Sequence, residues 1–284
     1  MKISLNPFIT RGNLFLTCLV LFGVLIATSS ASASEANCDK RAPTIIQHAY
    51  PSTKREQQGF VSDGLMIKLP LADAIGNTPH AITCRIWPLH PNLLLVAVPL
   101  IAQTSDSGNQ GDLEILVLDN ATLEVKQRLR MADRMSDDAI SIRSIAFDTA
   151  RYQIRPDITA FGLRIDKASG SNASPYEEVD LWLYAVIDNR IHPLSDGIIA
   201  TQAQGEWDTN CAGHYNDIAR TLAISSSSHN GFADITVSEK RVSSVTAVGN
   251  DGNCREKQTE LHKSTYRLIY DGNRYQIPKD LKLL

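Results

Sequence analysis

Three stretches of this chain run from an apolar, strand-like segment straight into Asp-Asn or Asp-Gly and back again, and that pattern restricts its fold most. The run from Asp112 to Leu118 meets Asp119-Asn120 and returns through Leu123 to Val125. Asp180 to Val186 meets Asp188-Asn189 and returns through Ile191 to Leu194, and Tyr266 to Tyr270 meets Asp271-Gly272 and returns through Arg274 to Ile277. Asp, Asn and Gly tolerate the positive φ that a tight hairpin demands, so each stretch predicts two antiparallel strands joined by a short turn. The nearly uninterrupted apolar run from Leu93 to Ile101 predicts a strand buried on both faces.

Further apolar strands precede these hairpins at Leu93 to Ile101, Thr159 to Ile165 and Thr221 to Ser225, the last followed by Ala233 to Val237. Polar loops are expected between strand and hairpin at Thr104 to Gly111, Asp166 to Tyr176 and Ser225 to Gly231. The expectation is an all-β, mainly antiparallel protein, either a small or incomplete β-propeller-like repeat or, as the alternative, a β-sandwich. Helical periodicity is sparse, and the only short helices expected are at Pro70 to Ile75 and Ala132 to Ala139.

Residues 1–33 read as a secretory signal. Lys2 and Arg11 supply positive charge, Leu14 to Ala27 form an apolar run of about fourteen residues, and Ala31-Ser32-Ala33 offers a peptidase small side chains. That run is short of the roughly twenty residues a membrane span needs, so the mature chain is expected to start at Ser34 as one domain, 34–284, with no transmembrane segment. Export places it in the periplasm or outside the cell. Loss of Lys2 and Arg11 leaves 26 basic residues, scattered along the chain, against 31 acidic ones, a balance that argues against a nucleic-acid partner.

Cys18 leaves with the signal, and four cysteines remain: Cys38, Cys84, Cys211 and Cys254. An even number in an oxidising compartment reads as two disulfides, with three connectivities open. Clustering into an N-terminal and a C-terminal pair favours Cys38 with Cys84 and Cys211 with Cys254, whereas Cys38 with Cys254 would tie the two ends of the chain together. No two cysteines have the close spacing of a structural zinc site.

The phrase Phe147 to Tyr152, Phe-Asp-Thr-Ala-Arg-Tyr, followed by Ala160 to Arg164, Ala-Phe-Gly-Leu-Arg, resembles uncharacterised exported proteins of Gram-negative bacteria. The Asp-Leu strands and the closing Tyr270-Asp271-Gly272 hairpin are similar to β-propeller repeats of the FG-GAP or VCBS class, over roughly residues 85 to 280. The resemblance implies a propeller-like scaffold. That class often carries a calcium loop of alternating Asp and Asn ending in Asp-Gly, of which this chain has no good copy, so no metal or other cofactor is expected.

No catalytic set stands out. Asp106 to Asp112 and Asn250 to Asn253 read as ordinary turns, none of the seven histidines forms a zinc-protease pair, and there is no Gly-x-Ser-x-Gly elbow. Asp137-Asp138 with Asp148 could in principle act as a glycosidase acid pair, but nearby Arg128, Arg130 and Arg134 make a charge cluster the simpler reading. The segment around Cys211 gathers Trp207, Asp208, His214 and Tyr215, which are the candidate binding residues, with aromatic anchors beside a disulfide; the plainer alternative is that Trp207 packs over that disulfide. The functional expectation is a non-enzymatic module that docks on an envelope or exported protein, as an inhibitor or immunity factor would. The alternatives are a cell-wall or carbohydrate hydrolase using Asp137 or Asp208 with His214, and a glycan or small-ligand sensor using aromatic loops.

Overall fold

A computed structural model describes residues 38–71, 78–106 and 108–283; the expected signal and most of the helix expected at Pro70 to Ile75 lie outside them. Among the described residues one α-helix, α1 (Cys38–Ala49), precedes fifteen strands. The first sheet holds β1 (Lys54–Glu56), β2 (Gly59–Ser62), β3 (Leu65–Lys68), β4 (Thr83–Ile86), β5 (Leu93–Ser105), β6 (Gly108–Asp119) and β7 (Val125–Met131). They are ordered β1-β2-β3-β5-β6-β7, with β4 also on β5. The second holds β8 (Ile140–Arg155), β9 (Ile158–Ser169), β10 (Tyr176–Ile187), β11 (Arg190–Pro193), β12 (Ile198–Trp207), β13 (Gly213–His229), β14 (Phe232–Val248) and β15 (Cys254–Leu268). Its order is β15-β14-β13-β12-β10-β9-β8, with β11 also on β10.

Among the described residues the ladders between strands are antiparallel, and sheets of seven and eight strands take the sandwich arm of the expectation, not a ring of small blades. Strand alternation explains the layering. On the first sheet Leu95, Ala97, Leu113, Ile115 and Val117 face Phe147, Phe161, Leu163, Trp182 and Tyr184 of the second, forming the shared core. The opposite face of the first sheet offers Leu94, Val96, Val98 and Leu116 to Ala42, Ile45 and Ile46 of α1. The apolar run beginning at Leu93 is thus buried on both sides, as a strand between two layers must be.

The other face of the second sheet also builds a core. Leu181, Leu183 and Ala185 of β10 pack with Phe232, Ile235 and Val237 of β14 and with Leu268 and Tyr275. This is geometrically feasible because the sheet curls until β13 and β14 approach β8. A C-terminal 3₁₀ turn, Lys279–Leu281, plugs the concavity with buried Leu281.

The predicted hairpin turns form at the expected places. Asp188 and Asn189 adopt φ of 48° and 59° between β10 and β11, and Asp119 accepts the Ala121 and Thr122 N–H groups between β6 and β7. Tyr270 bridges Tyr275 around Gly272. Other expectations are corrected. Ala132 to Ala139 is a run of turns and bends, not a helix, because Met135 is buried in the shared core and Asp137 bridges Asn109. Most of the supposed polar loops belong to strands, since hairpin ladders continue past the last buried residue: β5 reaches Ser105, β9 Ser169 and β13 His229. Helix α1 buries Ala42, Ile45, Ile46 and Ala49 at helical spacing; Pro43 inside it hides the pattern.

Candidate functional site

Beyond the curled core, β12 to β15 continue as an arm. In β15 the residues Cys254 to Thr265 are all exposed, so burial of apolar surface does not hold this part of the strand in place. Backbone pairing does, together with a clamp at the far end, where the β12–β13 turn and the β14–β15 turn lie together. Cys211 of the first is bonded to Cys254 after the second, with Cα atoms 5.5 Å apart. The other disulfide joins Cys38 of α1 to Cys84 of β4, Cα atoms 5.6 Å apart, and both pairings are the favoured ones.

The four candidate residues sit at this tip, but not as one cluster. Trp207 pairs with Gly213 and Tyr215 with Gly205, which puts both aromatic side chains on one face of the hairpin. His214 pairs with Glu206 and points to the opposite face. The Tyr215 ring lies across Gly205, where an added Cβ would come 2.4 Å from the ring Cδ1. Trp207 and Tyr215 are half-buried, leaving part of each ring open to solvent.

Asp208 is held within the turn. Its Oδ1 accepts the backbone N–H groups of Asn210, Cys211 and Ala212 at 2.9, 2.8 and 3.0 Å. Those bonds, that from Asn210 foremost, hold the carboxyl below its usual range. With His214 on one face of the arm and Asp208 tied into the turn, the two are not joined as an acid and base.

The remaining acids of the hydrolase reading are likewise engaged. Asp137, its side chain 1 % exposed, receives Asn109 N–H and Nδ2–H and the Ile142 N–H, and lies 3.1 Å from His80 Nε2. Burial opposes ionisation of Asp137, yet these donors keep its carboxyl below the ordinary range. Asp148 takes two bonds from Arg164 and one from the Tyr152 hydroxyl, and Asp138 caps Ile140 N–H. Each does the work of a structural acceptor.

Two buried polar groupings have no signal in the sequence. Arg220 and Glu239 form an ion pair inside the curl. Near the shared core, Lys167 contacts Asp180 and lies 3.8 Å from Glu178, which accepts Tyr176 O–H and Gln202 Nε2–H at 2.6 and 3.0 Å. Burial pushes the Asp180 carboxyl up to about 7 even with Lys167 beside it. The strand alternation that places Asp180 inward resembles that of any apolar position, so only the fold reveals these groups.

The two faces of the arm differ in charge. On the face shared with His214, Arg241 and Glu239 pair at 3.4 Å and His262 and Glu260 at 3.3 Å, along a shallow open trough that also includes Asn216 and Ser243. On the face shared with Tyr215, register aligns Ala219, Lys240 and Lys263 in one row and Asp217, Val242 and Leu261 in the next. No family model, curated protein or solved structure matches the chain.

Proposed function

We propose that the protein is a non-enzymatic binding module of the bacterial envelope, exported to the periplasm or secreted, that docks through its stapled arm on an envelope or exported protein. An inhibitor or immunity factor is the kind of protein that works this way. The observation that carries this reading is the arm itself, where twelve successive residues of β15 are exposed, yet the strand is paired along its length and clamped at the tip. Rigid display of a mixed aromatic and charged surface is what a docking element needs, because little ordering entropy is then lost on binding. The signal-like residues 1–33 and the two disulfides support an oxidising location.

The test is affinity capture from periplasmic extract with the oxidised chain from Ser34. Wild type is compared with Trp207→Ala/Tyr215→Ala and with Cys211→Ser/Cys254→Ser. A stoichiometric partner lost in both variants supports docking through the arm. Retention in both, or altered glycan fragments in a peptidoglycan digest without a partner, refutes it.

A further inference from the structure

Resting on that reading, we propose what the arm takes: an extended acidic segment of the partner, added as one more strand beside β15 and recognised by Lys263, Arg267 and Leu261.

The geometry has two parts. β15 is the terminal strand of its sheet and pairs with β14 alone. In such a strand every second residue turns its N–H and C=O away from the neighbour, leaving donors and acceptors ready for another chain. Regular pairing runs from Glu260 to Leu268, and a bulge at Thr259 interrupts it toward the tip. The bulge and the charges beyond it guard the tip end of the edge, while the body end stays regular.

Charge is the second part. Lys240 and Lys263 stand directly opposite each other, and Arg267, opposite Thr236, lies four residues further along β15 on the same face. Like charges directly opposite are unfavourable in a sheet. Among the described residues no carboxylate lies within 4.0 Å of any of the three. Two acids share this face: Asp217 sits diagonally, one row toward the tip, and Asp234, whose ionisation burial opposes but bonds from Ser227 and His229 and the charge of Arg267 favour, is bonded to Ser227 and His229. On the opposite face of the same strands the cation Arg241 already pairs with Glu239. Small residues, Ala219, Ser238, Thr221 and Thr265, separate the cations on this exposed face, with exposed Leu261 adjoining.

An antiparallel strand added to β15 meets Arg267 first, Lys263 four residues later and Leu261 two after that. The recognised pattern is therefore an acid, three residues of any kind, an acid, one residue of any kind, and an aliphatic residue. Main-chain bonds to β15 supply affinity and the two acids supply selectivity, as in other strand-addition complexes.

The probe is a synthetic peptide with Glu-x-x-x-Glu-x-Leu in a Thr and Val background, titrated by fluorescence anisotropy against the oxidised chain from Ser34. Saturable binding is expected, weakened by about tenfold each by Lys263→Glu and Arg267→Glu. N-methylation of alternate peptide amides should abolish binding in one phase and spare it in the other. Equal binding of a peptide with Lys in place of both Glu residues, indifference to both methylation phases, or no binding overturns the proposal. If a captured envelope partner survives Lys263→Glu/Arg267→Glu but is lost with Trp207→Ala/Tyr215→Ala, docking through the arm stands and acidic strand addition fails. Unchanged circular dichroism and a cooperative melt with a midpoint no lower than that of the wild type would show that the charge variants remain folded.

Discussion

Arg220 and Glu239 meet across β13 and β14 with Nη2 2.7 Å from Oε2, and neither side chain is more than 3 % exposed. The same guanidinium donates to the carbonyls of Ile199 and Asp280 at 2.7 and 2.8 Å, so one side chain ties β12, β14 and the C-terminal turn together. Such a pair contributes little net stability against an apolar replacement, but breaking it leaves a buried charge. Arg220→Ala is expected to cost about 3–5 kcal/mol by chemical denaturation, with the chain after Tyr275 becoming the first site of proteolysis. A loss below about 1 kcal/mol would mean that water replaces the guanidinium.

The two disulfides should behave differently. Cys38–Cys84 fastens α1 to the first sheet, where Cys84 is buried among Ile82, Leu94 and Val96. Cys38→Ser/Cys84→Ser should therefore lower global stability, by about 2–4 kcal/mol. Cys211–Cys254 clamps an arm outside the cores. Its removal should leave the melting midpoint nearly unchanged and accelerate hydrogen exchange in β15 before the bulge at Thr259, because local opening of an exposed hairpin end is not coupled to global unfolding. Equal effects of the two variants would show that the arm folds as part of the core.

Much of this architecture is legible in the sequence. Asp188-Asn189 and Asp271-Gly272 mark turns because few residues accept positive φ, and Leu93 to Ile101 marks a strand between layers because both of its faces are apolar. The pairing of four cysteines is the one that their clustering along the chain favours among three open connectivities. The arm is not legible, because Cys254 to Thr265 alternates charges and polar residues on both faces and carries no burial signal at all. Neither is the separation of His214 from Tyr215, which follows from register and not from composition. The buried acids fail for a third reason: an inward-facing Asp180 is distinguishable from a solvated one only once Lys167 and Glu178 are seen around it.

Asp180 predicts a pH dependence. Burial raises its carboxyl to about 7 in the folded protein, against about 3.9 in an unfolded chain. Between those values the native state binds the extra proton, so stability from this group is present at low pH and declines as pH rises through about 7. Lys167 and Glu178 are its charged neighbours, and Glu178 is itself held by Lys167, Tyr176 and Gln202. The melting temperature should fall between pH 5 and pH 8, and Asp180→Asn should flatten that slope. A slope unchanged in the variant would assign it to other groups.

Lys240 and Lys263 give the last prediction, because stability and binding should move in opposite directions there. Directly opposed on an exposed face, the two ammonium groups repel each other without a carboxylate between them. Lys263→Glu converts the repulsion into a cross-strand ion pair and should stabilise the fold by about 0.2–1 kcal/mol, an effect that shrinks as salt screens both arrangements. The same change should weaken the acidic peptide, because it removes one of the two cations that select it. Thermal melts at low and high salt, run beside the anisotropy titration, measure both quantities on one sample. A variant that is more stable and binds less well would mean that the lysine pair is kept for a partner at the fold's expense, whereas destabilisation would mean that Lys263 supports the sheet through contacts of its own.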